Sequence, residues 1–180
     1  MKEKLTLRNV AIWFAALLAL IVFILSFTAK FWFGNNMNGV SFNNIIWGCK
    51  SGAEWYNGNS ASGALDGVGP AVLPMIGVLL VFLSAVGAVV VSFVLKDEKL
   101  NKIITLVCAG LMLVGGVFTF ITLPTAGKLL KQALSMTVEQ VESLGYKPSC
   151  PAGTACGILA IVGGVAIAVP QFIKDIKFVK

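Results

Sequence analysis

The sequence predicts an all-α membrane protein: a bundle of four antiparallel transmembrane helices, with a small β-hairpin in a first extracellular loop and a short helix in a second. Three observations lead there. Four long runs carry no charged residue, the chain is 57% hydrophobic and only 12% charged, and its basic residues gather where the runs end. A hydrocarbon core about 30 Å thick is crossed by about 20 helical residues. The run from Ala71 to Leu95, AVLPMIGVLLVFLSAVGAVVVSFVL, exceeds that length. We read 1–180 as a single integral membrane domain, with spans at about 10–29, 71–95, 103–123 and 153–173. Outer loops then cover 30–70 and 124–152, and a cytoplasmic loop covers 96–102.

The first span follows a basic start with Lys2, Lys4 and Arg8. Its apolar run is longer than the roughly 7 to 15 residues of a cleaved signal peptide, so it reads as an uncleaved signal anchor. Trp13, Phe14, Leu17, Leu18, Phe23 and Phe27 make it bulky, which suits a helix facing lipid. From Lys30 to Pro70 the composition turns to Asn, Gly and Ser with aromatics between them. Asn38-Gly39 lies between FWF and VSFNNIIW, and such a pair supplies the positive φ angles of a tight hairpin turn; Asn57-Gly58 repeats the signal. Trp32, Trp47, Trp55 and Tyr56 are expected on the apolar face of this patch, and 58–70 as a flexible return to the membrane.

The connection KDEKLNK between spans two and three is too short for a domain, so these spans are neighbouring antiparallel helices. Pro124 marks the end of span three or a kink in it. In the second outer loop, Thr137-Val138-Glu139-Gln140 is a capping-box pattern, Gly145 closes the helix it starts, and Pro148 prevents resumption. Lys and Arg are denser at 1–9, 96–102 and 174–180 than in the two long loops, which places both termini in the cytoplasm.

Helices in lipid associate where small residues let backbones approach. Gly153, Gly157, Ala160, Gly164 and Ala168 recur on one face of span four, and Gly77, Ser84 and Ala88 on a similar stripe of span two. Span three offers Ala109, Gly110, Gly115 and Gly116. These faces either close the bundle of one subunit or leave one face for a second.

Cys49 and Cys150 are the pair chosen for a disulfide between the outer loops, with a local Cys150 to Cys156 bridge or no bridge as alternatives. No His occurs, which removes the commonest general base and metal ligand, and no Cys-x-x-Cys pair is present. No Asp, Glu, Lys or Arg falls inside the four expected spans, against ion-coupled transport. Basic residues interleaved with aromatics are missing, against a nucleic-acid partner. Neither a cofactor nor a metal nor a catalytic residue is expected. Trp47, Trp55 and Tyr56, among Asn and Gly, are a possible recognition surface.

A long β-prone first outer loop, a shorter second one and both ends inside form a plan that resembles the claudin-type tetraspan arrangement. Trp32 and Trp47-Gly48-Cys49 carry the likeness in the first loop. Claudins have a Gly-Leu-Trp and a second cysteine there, which this chain lacks, so the resemblance implies topology and not barrier function. The expected role is non-enzymatic: assembly as a homo-oligomer or as a small accessory subunit of a membrane complex, in contact with membrane lipid and, through the outer loops, with itself or another membrane protein. An oligomeric channel for ions or small solutes is the alternative, and a membrane thiol or lipid enzyme the third reading. The uncleaved basic start and the lack of a glycosylation acceptor suit a bacterial plasma membrane.

Overall fold

The computed structural model describes residues 6–33, 38–41, 46–47, 53–57, 60–65, 70–122, 124–125 and 148–173. Among the described residues, four helices are long and apolar enough to cross a membrane. They are α1 (Leu7–Thr28), α2 (Val72–Val94), α3 (Glu98–Phe120) and α4 (Pro151–Ala168), the last prolonged by a 3₁₀ turn at Val169–Gln171. Each packs against two neighbours in the cyclic order α1, α2, α3, α4, with α2 and α3 in the longest contact. All neighbours therefore run antiparallel, and the start of α1, the end of α2, the start of α3 and the end of α4 share one end of the bundle.

Local chemistry sets the helix ends. Thr6 accepts a hydrogen bond from the Asn9 amide at 3.3 Å and so caps α1. The Asp97 carboxylate accepts from the Lys99 and Leu100 amides at 2.9 and 3.2 Å, which starts α3 well before Ile103, the residue where sequence reading began the span. Glu98 to Lys102, read as loop, is the first turn of a helix, and the connection shrinks to Leu95–Asp97. Pro151 stands at the first position of α4, where its missing N–H leaves no bond unmade.

At the opposite end the described residues form five strands: β1 (Lys30–Phe33), β2 (Asn38–Ser41), β3 (Ala53–Asn57), β4 (Ser60–Leu65) and β5 (Pro148–Ser149). They form one antiparallel sheet in the order β4-β3-β2-β1-β5, so the segment before α4 adds an edge to strands that follow α1. Two sequence expectations are corrected. Asn38-Gly39 is not a turn but the start of β2, with Phe33 opposite Asn38 and Trp32 opposite Gly39. Residues 58–70 are not merely a return to the membrane, because Ser60–Leu65 is a strand whose Ser60 pairs with Asn57. The expected helix near 137–145 lies outside the described residues.

The core runs along the bundle axis. Ile12, Ala15, Ala19 and Val22 of α1 recur every three or four residues and are buried with Val78, Val81, Met112, Ala160 and Ile167. Leu18 also points inward, and Phe23 packs on the core, so span one is not uniformly lipid-facing as its bulk implied. Trp13, Leu17, Leu83, Phe93, Val107 and Val162 point outward. An apolar girdle of that extent is a liability in water and the normal surface of a protein in lipid.

Candidate functional site

At the end shared by the short connection, one amide gathers three helices. Asn101, buried in the first turn of α3, donates from Nδ2 to the Val91 and Leu95 carbonyls at 3.2 and 3.1 Å. The Leu95 carbonyl follows the last turn of α2, where intrahelical donors run out, while the Val91 carbonyl also accepts from the Leu95 amide at 3.1 Å. Its Oδ1 accepts from Thr105 Oγ1 at 3.2 Å and from the Arg8 guanidinium, which arrives from α1. Sequence reading missed this junction because Asn101 was placed in a loop. The available signal was Asp97, a capping residue four positions ahead of an Asn that sits one turn before Thr105.

At the sheet end an aromatic cluster joins the first loop to the bundle. Phe23 stacks on Phe82 of α2 with ring centroids 4.6 Å apart. Trp47 lies nearly parallel to Phe27, 5.4 Å between centroids and 13° between planes. Its indole N–H donates over a long 3.4 Å to the Ser26 hydroxyl, which itself donates to the Phe23 carbonyl at 2.7 Å. Beside it Ile46 is fully buried. Trp47 is thus half-buried and spends its ring and its polar tip on α1. Trp55 lies in β3 opposite Val40 and Gly63, and Tyr56 opposite Gly39 and Ala61.

The small residues lie between helices of one chain. A Cβ on Gly77 would come within 2.8 Å of the Gly115 carbonyl oxygen, and one on Gly116 within 3.1 Å of the Gly157 oxygen and the Ala160 methyl. Gly157 meets the Phe120 ring, Gly164 meets Leu113, and Gly153 meets Thr122; Ser84 and Ala88 are buried as well, and Ala168 is partly so. Gly110 alone of the glycines of α3 has nothing within 4 Å.

Cys108, Cys150 and Cys156 are free, buried thiols, which corrects the disulfide expectation for Cys150, both its bridge to Cys49 and its local bridge to Cys156. Cys49 lies outside the described residues. Cys150 is the residue before α4, where its sulfur sits over the helix start and would be 3.0 Å from a Cβ at Gly153. Burial pushes its thiol up to about 11, the opposite of an activated nucleophile. Cys156 packs against α1, its sulfur 3.9 Å from the Val22 carbonyl oxygen.

Among the described residues no three His, Cys, Asp or Glu side chains come together as a metal site, and every buried side-chain nitrogen or oxygen has a partner. Thr119 and Thr122 return their hydroxyls to the carbonyls three residues back, at 2.7 and 2.5 Å. The chain matches no protein-family model, no curated protein and no solved structure.

Proposed function

We propose that this is a non-enzymatic four-span membrane protein that works by assembly, with copies of itself or as a small accessory subunit of a membrane complex, through the sheet end. One observation carries the proposal. β4 is an outer strand whose far edge no described strand pairs, and its sequence, SASGAL, contains neither charge nor proline. An edge left in that state presents backbone donors and acceptors to another chain. The register shift opposite Trp55 and Tyr56 keeps it from being a flat template, which favours one fitting partner over open-ended stacking. The small-residue faces of the helices support the same reading by default, because they are consumed within one bundle.

In this proposal the basic ends put both termini in the cytoplasm and the sheet outside, in a bacterial plasma membrane. Trp55 and Tyr56 of β3, beside the open strand, are the recognition residues, while Trp47 serves as an anchor. The plan resembles the claudin-type tetraspan arrangement in topology, and the role proposed rests on the edge strand and not on that likeness.

A photo-crosslinking residue replacing Ala64 in β4 tests this. Irradiation of intact membranes is expected to yield one discrete adduct, of two copies or of this chain with one partner; no adduct at Ala64 would remove the edge as the contact. The channel reading requires several subunits, since the described bundle interior is apolar and its hydroxyls are paired. Proteoliposome flux above that of empty vesicles would favour it.

A further inference from the structure

Among the described residues, the end of the bundle opposite the sheet carries a cation, Arg8, that is oriented by a neutral group and meets no carboxylate. The partner of Arg8 among the described residues is the neutral amide of Asn101, which uses one of the five N–H donors of the guanidinium. Next in sequence to Asn101, Lys102 reaches across the start of α3 to lie over the ring of Phe172, 5.3 Å from its centroid, just past the end of α4. The 3₁₀ turn that precedes Phe172 also touches α1, and Asn101, the partner of Arg8, is the chain neighbour of Lys102, so both cations belong to this end of the bundle. Lys96 and Lys99 add positive charge to this end, against Asp97, whose carboxylate is occupied in capping α3, and Glu98 in the helix's first turn. The level is that of lipid headgroups: α1 turns wholly apolar at Val10, and Trp13 meets Phe93 edge to face at 6.1 Å one turn further in.

We propose that Arg8 and Lys102 together hold the phosphate of an anionic phospholipid at this end of the bundle. The guanidinium, aimed by Asn101, offers its remaining N–H groups as a fork to two phosphate oxygens. Lys102, its stem steadied on Phe172, supplies a point charge beside it. Two cations at one phosphate select a lipid whose headgroup has net negative charge over one that brings its own ammonium, and the acyl chains lie along the outward residues of α3 and α4, among them Val107 and Val162.

The test is native mass spectrometry of the full chain released from detergent with equal amounts of phosphatidylglycerol and phosphatidylcholine, and separately with inorganic phosphate. The proposal predicts preferential retention of phosphatidylglycerol and none of inorganic phosphate. Lys102→Gln, at an exposed position that leaves the fold intact, should lower the preference roughly fivefold. Arg8→Gln should lower it further, and Arg8→Lys, which keeps the charge and loses the fork, should fall between. Equal retention of the two lipids, a preference unchanged in Lys102→Gln and Arg8→Gln, or retention of inorganic phosphate as strong as that of the lipid would each overturn it.

Discussion

Gly77 of α2 and Gly115 of α3 meet with no side chain between them: a Cβ on either would stand 2.8 or 2.7 Å from the carbonyl oxygen of the other. This reciprocal backbone contact sits in the most extensive helix pair of the bundle. Neither backbone can retreat without separating α2 from α3, because Val81 is already packed against Gly115.

Gly115→Ala and Gly77→Ala should therefore each destabilise the folded protein by about 1–3 kcal/mol. Gly110→Ala, made in the same helix where nothing lies within 4 Å, should be neutral or slightly stabilising because Ala is the better helix former. Thermal unfolding of the three variants in detergent checks both halves of the expectation.

Asn101→Ala removes a side chain that serves the Val91 and Leu95 carbonyls, Thr105 and Arg8 at once. The Val91 carbonyl keeps its bond from the Leu95 amide, and leaving the Leu95 carbonyl, Thr105 and Arg8 without Asn101 should cost about 1–3 kcal/mol. Asn101→Asp loses the same two donations but keeps the acceptor for Arg8 and Thr105, so it should cost less than Asn101→Ala. A double-mutant cycle of Arg8→Gln with Asn101→Ala measures that coupling directly.

Trp47→Phe preserves the stack on Phe27 and loses the bond to Ser26, and a fall in stability of at most about 1 kcal/mol is expected. Trp47→Ala removes the ring packed on Phe23 and Phe27 of α1 and should cost about 2 kcal/mol, less than for a fully buried ring. The same melting measurements in detergent apply.

With its pKa raised to about 11 by burial, the Cys150 thiol stays protonated across neutral pH. Only the thiolate attacks an alkylating reagent, so labelling of the native protein should be slow at pH 7–8 and rise with pH toward 11. Peptide mapping after alkylation should find it roughly tenfold or more slower at pH 8 than in protein unfolded by dodecyl sulfate. Labelling as fast as in the unfolded chain would mean that Cys150 is not held in the buried position.

How far the sequence led can be judged from particular stretches. The four spans were legible because uninterrupted apolar runs have few other uses, and Val72–Val94 departs from the expected 71–95 by one residue at each end. The start of α3 was not, because KDEKLNK is as polar as a loop and its helicity depends on the Asp97 cap and on Asn101 finding the end of α2. Asn38-Gly39 misled for a related reason: such a pair permits a turn without requiring one, and pairing of Phe33 with Asn38 put it in the ladder. Cys150 shows the limit for thiols, whose pairing depends on which face of a chain they occupy. The Phe23, Phe27, Trp47 and Phe82 cluster joins residues from three separate segments, and no local pattern announces it.

The account stands on assembly in the membrane, and the mass of the particle that carries the chain tests it most directly. Protein cut from native membranes in polymer nanodiscs, without detergent, should give by native mass spectrometry a fixed multiple of 19.0 kDa or this chain with one constant partner. A population made of single chains and lipid alone would contradict it.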